Sequence, residues 1–475
     1  KMNHSKLVKL LQFFSEKQHQ KFQLFLDSPY FNTQKDVQQL YQQLHIALQQ
    51  NNPHALKKET IFAKLFPNTS YDAPQIYYLM SGLLQTVEKF IMVENLQEDS
   101  ATQADYLLNY YRQQNLEKHF QHHLREHHKQ QQKKPQSADS YHYRFLLHQQ
   151  ENLYFDQQKK HLFDQSLQQA IDSLDLYYLV LKLKYSCEMY NRLQMVSGQY
   201  ELRLLDEIVR YLEQHPQHEH PIVMVYVNIF RCLTDFVNEQ HFNDLMTLLQ
   251  QHTDQFAIAE ARDMYAYTIN YCVRHINRGN TYYLRELLNI YKRMLGGAIL
   301  LTEEGLLSPW TYMNIILVGI RNEEYFWTEN FIEQYKTYIA PQFRENAYTY
   351  NLALLYFYQK QYDRTLQLLN QVVFEDVYYS TEAKMLLLRS YYELDESDAF
   401  ESLAAAYINY LRRNKLVAEQ KKQRYETFIK LLVRLHRLLP RDKKALQQLK
   451  QKIEATPTLL NKAWLLEKWT LKAQR

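Results

Sequence analysis

Apolar residues recur every three or four positions along almost the whole chain, which is the spacing that places them on one face of an α-helix. In the first hundred residues this pattern predicts five helices, at about 4–13, 15–27, 33–50, 58–66 and 73–96. Pro29 and Pro67 fall between predicted helices, and a proline disfavours helical conformation in the residue before it. We therefore predict a compact N-terminal helical domain over residues 1–97.

The next segment, residues 98–165, keeps a helical spacing but is far more polar. The stretch from His119 to Lys134 carries five histidines and a run of glutamines. A helix that is polar over most of its surface is typical of an element that faces solvent or bridges two domains. We predict a polar helical connector here, the part of the chain best suited to a flexible or solvent-bridging role.

From about residue 166 the pattern repeats, and a fixed repeat period is the signature of a solenoid. An ungapped match at an offset of 37 relates Asn314, Tyr325 and Thr328 to Asn351, Tyr362 and Thr365. A looser copy, with Asn270 at the matching place, precedes these two. We predict helical repeats over residues 166–415, followed by capping helices over residues 416–475.

One of these units, residues 345–378, resembles the tetratricopeptide (TPR) consensus. The matching positions are Leu352, Ala353, Tyr356, Tyr362, Thr365 and Leu369. The sequence departs from the consensus at Thr365, where alanine is usual, and at Val377, where proline is usual. The resemblance covers 309–411 and is weaker back to about residue 166. It implies a TPR-like α-solenoid with a concave face, and it implies no activity.

The chain as a whole also resembles a family of uncharacterised bacterial helical-repeat proteins of about this length. The resemblance rests on Ser28–Asn32 near the start, on Ser308–Thr311 and Trp327–Phe331 in the repeats, and on Lys462–Lys468 at the end. It implies the same fold, and the family supplies no function to carry over.

Composition supports an all-α fold, because the chain has only 7 glycines in 475 residues and β-hairpin turns depend on glycine. Cys187, Cys232 and Cys272 lie in apolar helical patterns, which favours buried thiols in a reducing compartment. No apolar run is long enough to span a membrane, and no signal segment follows the start. Lys1 precedes Met2, so we expect Lys1 to be an addition. A cytoplasmic location follows, with the oligomeric state left open.

Catalytic motifs are missing. The sequence contains no G-x-G-x-x-G, no G-x-x-x-x-G-K-[ST], no G-x-S-x-G and no H-E-x-x-H. We therefore predict a protein that is not an enzyme and needs no cofactor.

The His119–His128 segment is the one candidate for a metal site. His119, His123 and His127 are spaced by four residues and so share one helix face, a spacing that zinc accepts. Zinc also needs further ligands, and cations that would repel it crowd the same segment: Lys118, Arg125 and Lys129. We expect a solvated polar helix here and no metal.

The strongest charge signal is a basic run between Arg412 and Lys452, on helices that are amphipathic. Within it, Lys421, Lys422 and Arg424 are the candidate contact residues. Such a face can contact the phosphates of a nucleic acid or an acidic protein surface. It can equally serve only to keep the last helices soluble.

Residues 58–93 resemble part of the winged-helix unit that precedes TPR-like repeats in some bacterial transcriptional activators. The resemblance implies a DNA-reading second helix. Here that helix carries Tyr77 and Tyr78 and has Lys89 as its only basic residue, and no β-hairpin follows in the sequence. A transcription regulator is therefore an alternative, and a helical domain without DNA contact is the simpler interpretation.

The leading hypothesis is a non-enzymatic scaffold that binds a protein or peptide partner in the concave face of the solenoid. Asn270, Asn314 and Asn351 recur at equivalent places on the first helices of their repeats, and an asparagine amide can bond a peptide backbone. The same residues can instead cap or pack between helices. Nucleic-acid binding through Lys421, Lys422 and Arg424 is the alternative.

Overall fold

The computed structural model describes residues 5–50, 56–158, 163–193, 198–215, 220–371, 377–456 and 458–474. Within these ranges the chain forms twenty-three α-helices and no β-strand, and a single antiparallel bridge joins Leu301 to Leu307. The predicted all-α fold is therefore confirmed. Lys1 and the end of the TPR-like unit, residues 372–376, lie outside the described residues.

The chain divides into two compact units, Lys1–Lys182 and Leu183–Arg475. The helices of the first unit are α1 (Lys6–Gln12), α2 (Glu16–Asp27), α3 (Lys35–Gln49), α4 (Lys58–Leu65), α5 (Ala73–Glu98), α6 (Ser100–Gln113), α7 (Glu117–Gln132) and α8 (Ala138–Gln157). The next helix, α9 (Gln165–Leu193), contains the boundary. The four-part division made from the sequence stays a prediction.

The helices that lie wholly in the second unit are α10 (Leu205–Gln214), α11 (Pro221–Thr234), α12 (Glu239–His252), α13 (Ile258–Asn277), α14 (Tyr282–Gly296), α15 (Pro309–Arg321), α16 (Tyr325–Tyr335), α17 (Pro341–Tyr358), α18 (Tyr362–Gln371), α19 (Val377–Glu393), α20 (Ser397–Arg413), α21 (Glu419–Arg437), α22 (Lys443–Ala455) and α23 (Lys462–Gln474). Short 3₁₀ turns follow α12 and α16, at Thr253–Gln255 and Lys336–Tyr338.

Helices α1 to α5 enclose one apolar core, in which Phe22, Tyr41 and Phe90 are almost completely buried. Local signals set the helix ends. Ser15 and Gln18 form a reciprocal capping box at the start of α2, which satisfies backbone N–H groups that the helix leaves unpaired. The long helix α5 packs against α1, α2 and α3 and so closes this core.

The polar segment that follows has a core of its own. Helices α6, α7 and α8 contact one another, and they bury Leu108, Phe120, Leu124, Tyr143 and Leu147 between them. One narrow apolar stripe on each helix is enough for a three-helix unit, and the remaining faces stay polar.

In the second unit consecutive helices pair into antiparallel hairpins: α11 with α12, α13 with α14, α15 with α16, α17 with α18, and α19 with α20. The first helices of neighbouring hairpins also contact one another. Helix α11 contacts α13, and helix α17 contacts both α15 and α19. Each hairpin thus covers its apolar faces against its neighbours, which is the packing of a solenoid-like fold.

Four of the hairpin turns repeat the same backbone geometry. Gly279, Glu323, Lys360 and Asp395 each adopt a positive φ, between 58° and 93°. In each turn the N–H of the following residue donates to the carbonyl five positions back, as Glu324 does to Gly319 at 3.0 Å. This is the Schellman termination of a helix. Glu323 and Lys360 are 37 residues apart, so the backbone repeats in the register of the sequence.

The last helices continue the same core. Buried residues of α19 and α20 cluster with those of α21, α22 and α23, among them Phe400, Phe428 and Leu465. Cys187, Cys232 and Cys272 are free and buried, as their apolar surroundings in the sequence predicted. Among the helices that the structure describes, none combines the length and the apolarity that crossing a bilayer requires.

Candidate partner-binding groove

A concave groove with a volume of about 310 Å³ lies between α9 and α13. Its walls carry Lys184, Tyr185, Glu188, Asn191 and Arg192 from α9, and Asp263, Ala266, Tyr267 and Asn270 from α13. All of these residues belong to the second unit. The groove includes Asn270, which the sequence repeat had singled out.

A buried polar network holds the two walls together. Glu260 of α13 is almost completely buried, and it accepts hydrogen bonds from Tyr226 of α11 and, at 3.3 Å, from Lys184 of α9. The Lys184 ammonium also lies 2.8 Å from Asp263. Because buried charges need partners, breaking one member leaves another unpaired at a large cost. This network therefore fixes the two walls of the groove relative to each other.

The pKa values follow from this arrangement. Burial opposes the charge on Lys184, but the hydrogen bond that its ammonium donates to Asp263 and the charge of Glu260 outweigh that effect and raise the pKa of the ammonium. Burial, and then the neighbouring Glu260 carboxylate, raise the pKa of the Tyr226 hydroxyl. Lys184 thus stays charged and Tyr226 stays neutral near pH 7, which suits a positioning role and not proton transfer.

The charges on the groove walls are balanced. Lys184 pairs with Asp263, and Arg192 lies 2.6 Å from Glu188. The amides of Asn191 and Asn270 remain on opposite walls, and neither makes a hydrogen bond within the part of the chain that the structure describes. Each amide offers both donors and an acceptor. The groove therefore presents neutral hydrogen-bonding groups between charges that are already paired.

The other two predicted asparagines do not line this groove. Asn270, Asn314 and Asn351 each stand seven residues before the last residue of their helix, so the equivalence predicted from the sequence holds for the backbone. Asn314 is exposed, whereas Asn351 is completely buried. The Asn351 amide donates to the Ala347 carbonyl at 2.7 Å, and its Oδ1 has no hydrogen-bond partner among the residues that the structure describes. Partner binding by these residues stays a prediction.

The predicted basic residues lie near acidic or carbonyl oxygens. Lys421 is 4.0 Å from Glu382, Lys422 is 3.4 Å from Glu419, and Arg424 donates to the Thr458 carbonyl at 3.1 Å. Other cations of the same run also form ion pairs, namely Arg412 and Lys430 with Glu426, and Arg437 with Glu401. This pairing reduces the positive charge that the run presents to phosphates.

The winged-helix-like segment consists of α4 and α5. Tyr77 and Tyr78 are exposed on α5, and the Lys58 ammonium lies 3.5 Å from the centre of the Tyr77 ring. In the described residues α5 leads directly into α6, and no strand stands where a wing would be.

The histidines of α7 have different surroundings. The rings of His119 and His123 lie against Tyr111, and His127 bonds the Tyr143 hydroxyl at 2.7 Å. Among the residues that the structure describes, His128 lies close to two further groups that can bind a metal, His148 and Glu151 of α8. Hydrogen bonds from His128 and His148 lower the pKa of Glu151 to about 2. His148 and Glu151 were not among the predicted site residues, although their spacing of three residues on one helix was visible in the sequence.

Comparison of the chain with protein-family models, with curated proteins and with solved structures found no match. The function proposed below is therefore supported by the geometry of the chain itself.

Proposed function

We propose that this chain is a non-enzymatic helical-repeat scaffold of the TPR-like kind, and that it binds an extended segment of a protein partner in the groove between α9 and α13. The observation that carries the proposal is the pair of amides of Asn191 and Asn270, which stand on opposite walls of a groove whose charges are already paired.

A peptide backbone fits this chemistry. An extended chain presents an N–H or C=O group at short, regular intervals, and asparagine amides can bond both. The exposed ring of Tyr185 adds an aromatic surface at the rim, and aromatic side chains contribute strongly to protein interfaces. Because the buried network fixes the two walls of the groove relative to each other, binding costs less ordering than it would on a flexible surface.

The resemblance to bacterial helical-repeat proteins and the three buried free cysteines support a cytoplasmic scaffold. No cofactor has a role in this proposal. Nucleic-acid binding through α21 and α22 ranks second, since many cations of that run are paired, although Arg441, Lys443 and Lys444 form no ion pair within the described part of the chain.

The test begins with random peptides displayed on phage and selected on the immobilised full-length chain. A labelled copy of the best binder is then titrated by fluorescence anisotropy. We expect Asn191→Ala combined with Asn270→Ala to raise Kd about tenfold or more, since two hydrogen bonds of about 1 kcal/mol each are lost. Asn314→Ala removes an exposed asparagine that lies outside this groove, at the equivalent backbone position in α15. An unchanged Kd in this variant supports binding between α9 and α13, and a raised Kd would instead support the role that the sequence repeat predicts for Asn314.

The same titration separates the alternative. Peptide binding in a charge-balanced groove should change little between about 50 and 200 mM salt, whereas binding to phosphates weakens steeply. A labelled DNA or RNA oligonucleotide that binds, and that is lost when Lys421, Lys422 and Arg424 are all changed to Glu, would favour nucleic acid. An unchanged peptide Kd in the double asparagine variant would contradict the groove proposal.

A further inference from the structure

The hairpin of α7 and α8 brings the imidazole of His128 to the imidazole of His148 and the carboxylate of Glu151, which follow it by 20 and 23 residues in the sequence. His128 Nε2 lies 3.5 Å from Glu151 Oε2, and His148 Nδ1 lies 3.3 Å from the same oxygen. The three candidate ligand atoms all lie within 4.8 Å of one another. His148 and Glu151 are three residues apart on α8, so they share a helix face, and α7 supplies the third group.

These separations match a tetrahedral zinc site. Zinc binds histidine nitrogen at about 2.0–2.1 Å and carboxylate oxygen at about 2.0–2.2 Å, so ligand atoms on a tetrahedron stand about 3.3–3.5 Å apart. Two of the three edges already have this length. The third edge, between the two imidazole nitrogens, has an upper bound of 4.8 Å and needs at most a small rotation of one ring.

We propose that His128, His148 and Glu151 form a zinc-binding site that joins α7 to α8. Two imidazoles and one carboxylate suit zinc among the common divalent ions, because calcium and magnesium prefer oxygen ligands throughout. The site is independent of the α9–α13 groove and of the function proposed for it.

Two of the three cations that were expected to repel a metal ion contact other oxygen atoms, and the third lies far along the helix. Lys129 lies 3.0 Å from Glu126, and Arg125 donates to the Gln121 carbonyl. Lys118 stands ten residues before His128, which is about 15 Å along the helix axis. Glu151 contacts both imidazoles, and its negative charge favours a cation.

The site has room for a fourth ligand. The His148 side chain is 12% exposed and His128 is 26% exposed, whereas Glu151 is 39% exposed and borders solvent. A water molecule can complete the coordination from that side, as it does in zinc sites with three protein ligands. A bound zinc ion would then link α7 to α8, two helices that share only a small apolar core.

The test is isothermal titration of Zn²⁺ into the chelator-treated full-length chain. We expect one site tighter than the background of other histidines, and an intense visible spectrum when tetrahedral Co²⁺ replaces zinc. His148→Ala and Glu151→Gln should each weaken this site by about 100-fold or more, because even indirect supporting residues cost about 10- to 100-fold. Glu151→Gln keeps a hydrogen-bonding side chain, so it reports on the site even if His148→Ala disturbs the fold.

The matched control is His119→Ala combined with His123→Ala, which removes two imidazoles of the same helix and leaves the three proposed ligands. Its tight site should keep the wild-type affinity. The proposal is overturned if the control loses the site, if Glu151→Gln binds Zn²⁺ as the wild type does, or if no site stands out from the background. In the last case the three residues form only a hydrogen-bonded cluster.

Discussion

The hairpins α15–α16 and α17–α18 share a backbone and differ in what they bury. Their turns adopt the same left-handed conformation at Glu323 and Lys360, and their sequences match at an offset of 37. Asn314 in the first hairpin is nevertheless exposed, whereas Asn351 in the second has no accessible surface. A repeat in sequence therefore reproduces a backbone position without reproducing the environment of its side chain.

The difference comes from the neighbours along the stack. Helix α17 lies between the first helices α15 and α19 and contacts both. The repeat that precedes α15 is longer than the one that follows it: Asn270 and Asn314 are 44 residues apart, whereas Asn314 and Asn351 are 37 residues apart. The extra residues fall in the connection from α14 to α15. Helix α17 therefore packs against the first helices of both neighbouring hairpins, whereas α15 packs against the second helix α14 on one side and against α17 on the other. We attribute the burial of Asn351 to this difference in packing.

The two hairpins also differ in where their helices approach most closely. In α15–α16 a Cβ atom built on Gly319 would lie 2.3 Å from Thr328 Oγ1. In α17–α18 the residue equivalent to Gly319 is Tyr356, and the close contact instead joins Thr365 Oγ1 to the Ala353 carbonyl at 3.3 Å. Both hairpins therefore need a small residue where their two helices approach closely, but at positions one turn apart.

The largest effect is expected from a substitution that disrupts the close contact between Gly319 and Thr328. Gly319→Ala should lower the free energy of opening of the α15–α16 hairpin by about 2 kcal/mol, because the added methyl group forces Thr328 to move. Thr328 cannot move freely, since its hydroxyl donates to the Glu324 carbonyl at 2.8 Å. Hydrogen exchange followed by mass spectrometry on peptides from α15 and α16 measures the change.

Gly296→Ala is the control for that substitution. Gly296 is the last residue of α14, and a Cβ atom there would meet nothing within 4 Å. It should leave stability unchanged or raise it slightly, because alanine restricts the unfolded chain more than glycine does. Equal exchange rates in the Gly319 variant and the wild type would show that α15 and α16 do not pack this closely.

A smaller effect on stability is expected from substitutions that compare the buried Asn351 with the exposed Asn314. Asn351→Leu should raise the free energy of unfolding by about 1 kcal/mol, because it replaces a buried amide whose Oδ1 lacks a hydrogen-bond partner in the described part of the chain. The Ala347 carbonyl keeps its helical hydrogen bond after the change. Asn314→Leu, at the exposed equivalent, should change stability by less than about 0.5 kcal/mol. Urea unfolding monitored by circular dichroism measures both variants, and a loss of stability in Asn351→Leu would refute the reasoning.

The helices themselves were predictable from the sequence. All five predicted N-terminal helices end within about two residues of the observed bounds, because proline breaks and capping residues act locally. The repeat register was also visible, since it depends on residues one hairpin apart. These features need only short-range information.

The side-chain environments were not predictable in the same way. Whether Asn351 is buried depends on α15 and α19, and the groove depends on Asn191 standing opposite Asn270, 79 residues away. His128 meets His148 and Glu151 only because α7 and α8 pack in one particular register. Such contacts are set by packing between helices, which a helical period alone does not encode.

The smallest effect on stability is expected from substitutions in the left-handed turn that the two hairpins share. Glu323 and Lys360 hold φ angles of 59° and 62°, which strain a residue with a Cβ atom and suit glycine. We expect Glu323→Gly and Lys360→Gly each to raise the free energy of unfolding by about 0.5 kcal/mol, because relief of that strain exceeds the entropy that glycine adds to the unfolded chain. Gln359→Gly is the control, since Gln359 has a φ of −76° and should only lose stability. The two turns lie in different hairpins, so the gains should add in the double variant. If both glycine variants are less stable than the wild type in urea unfolding, the repeated left-handed turn is wrong.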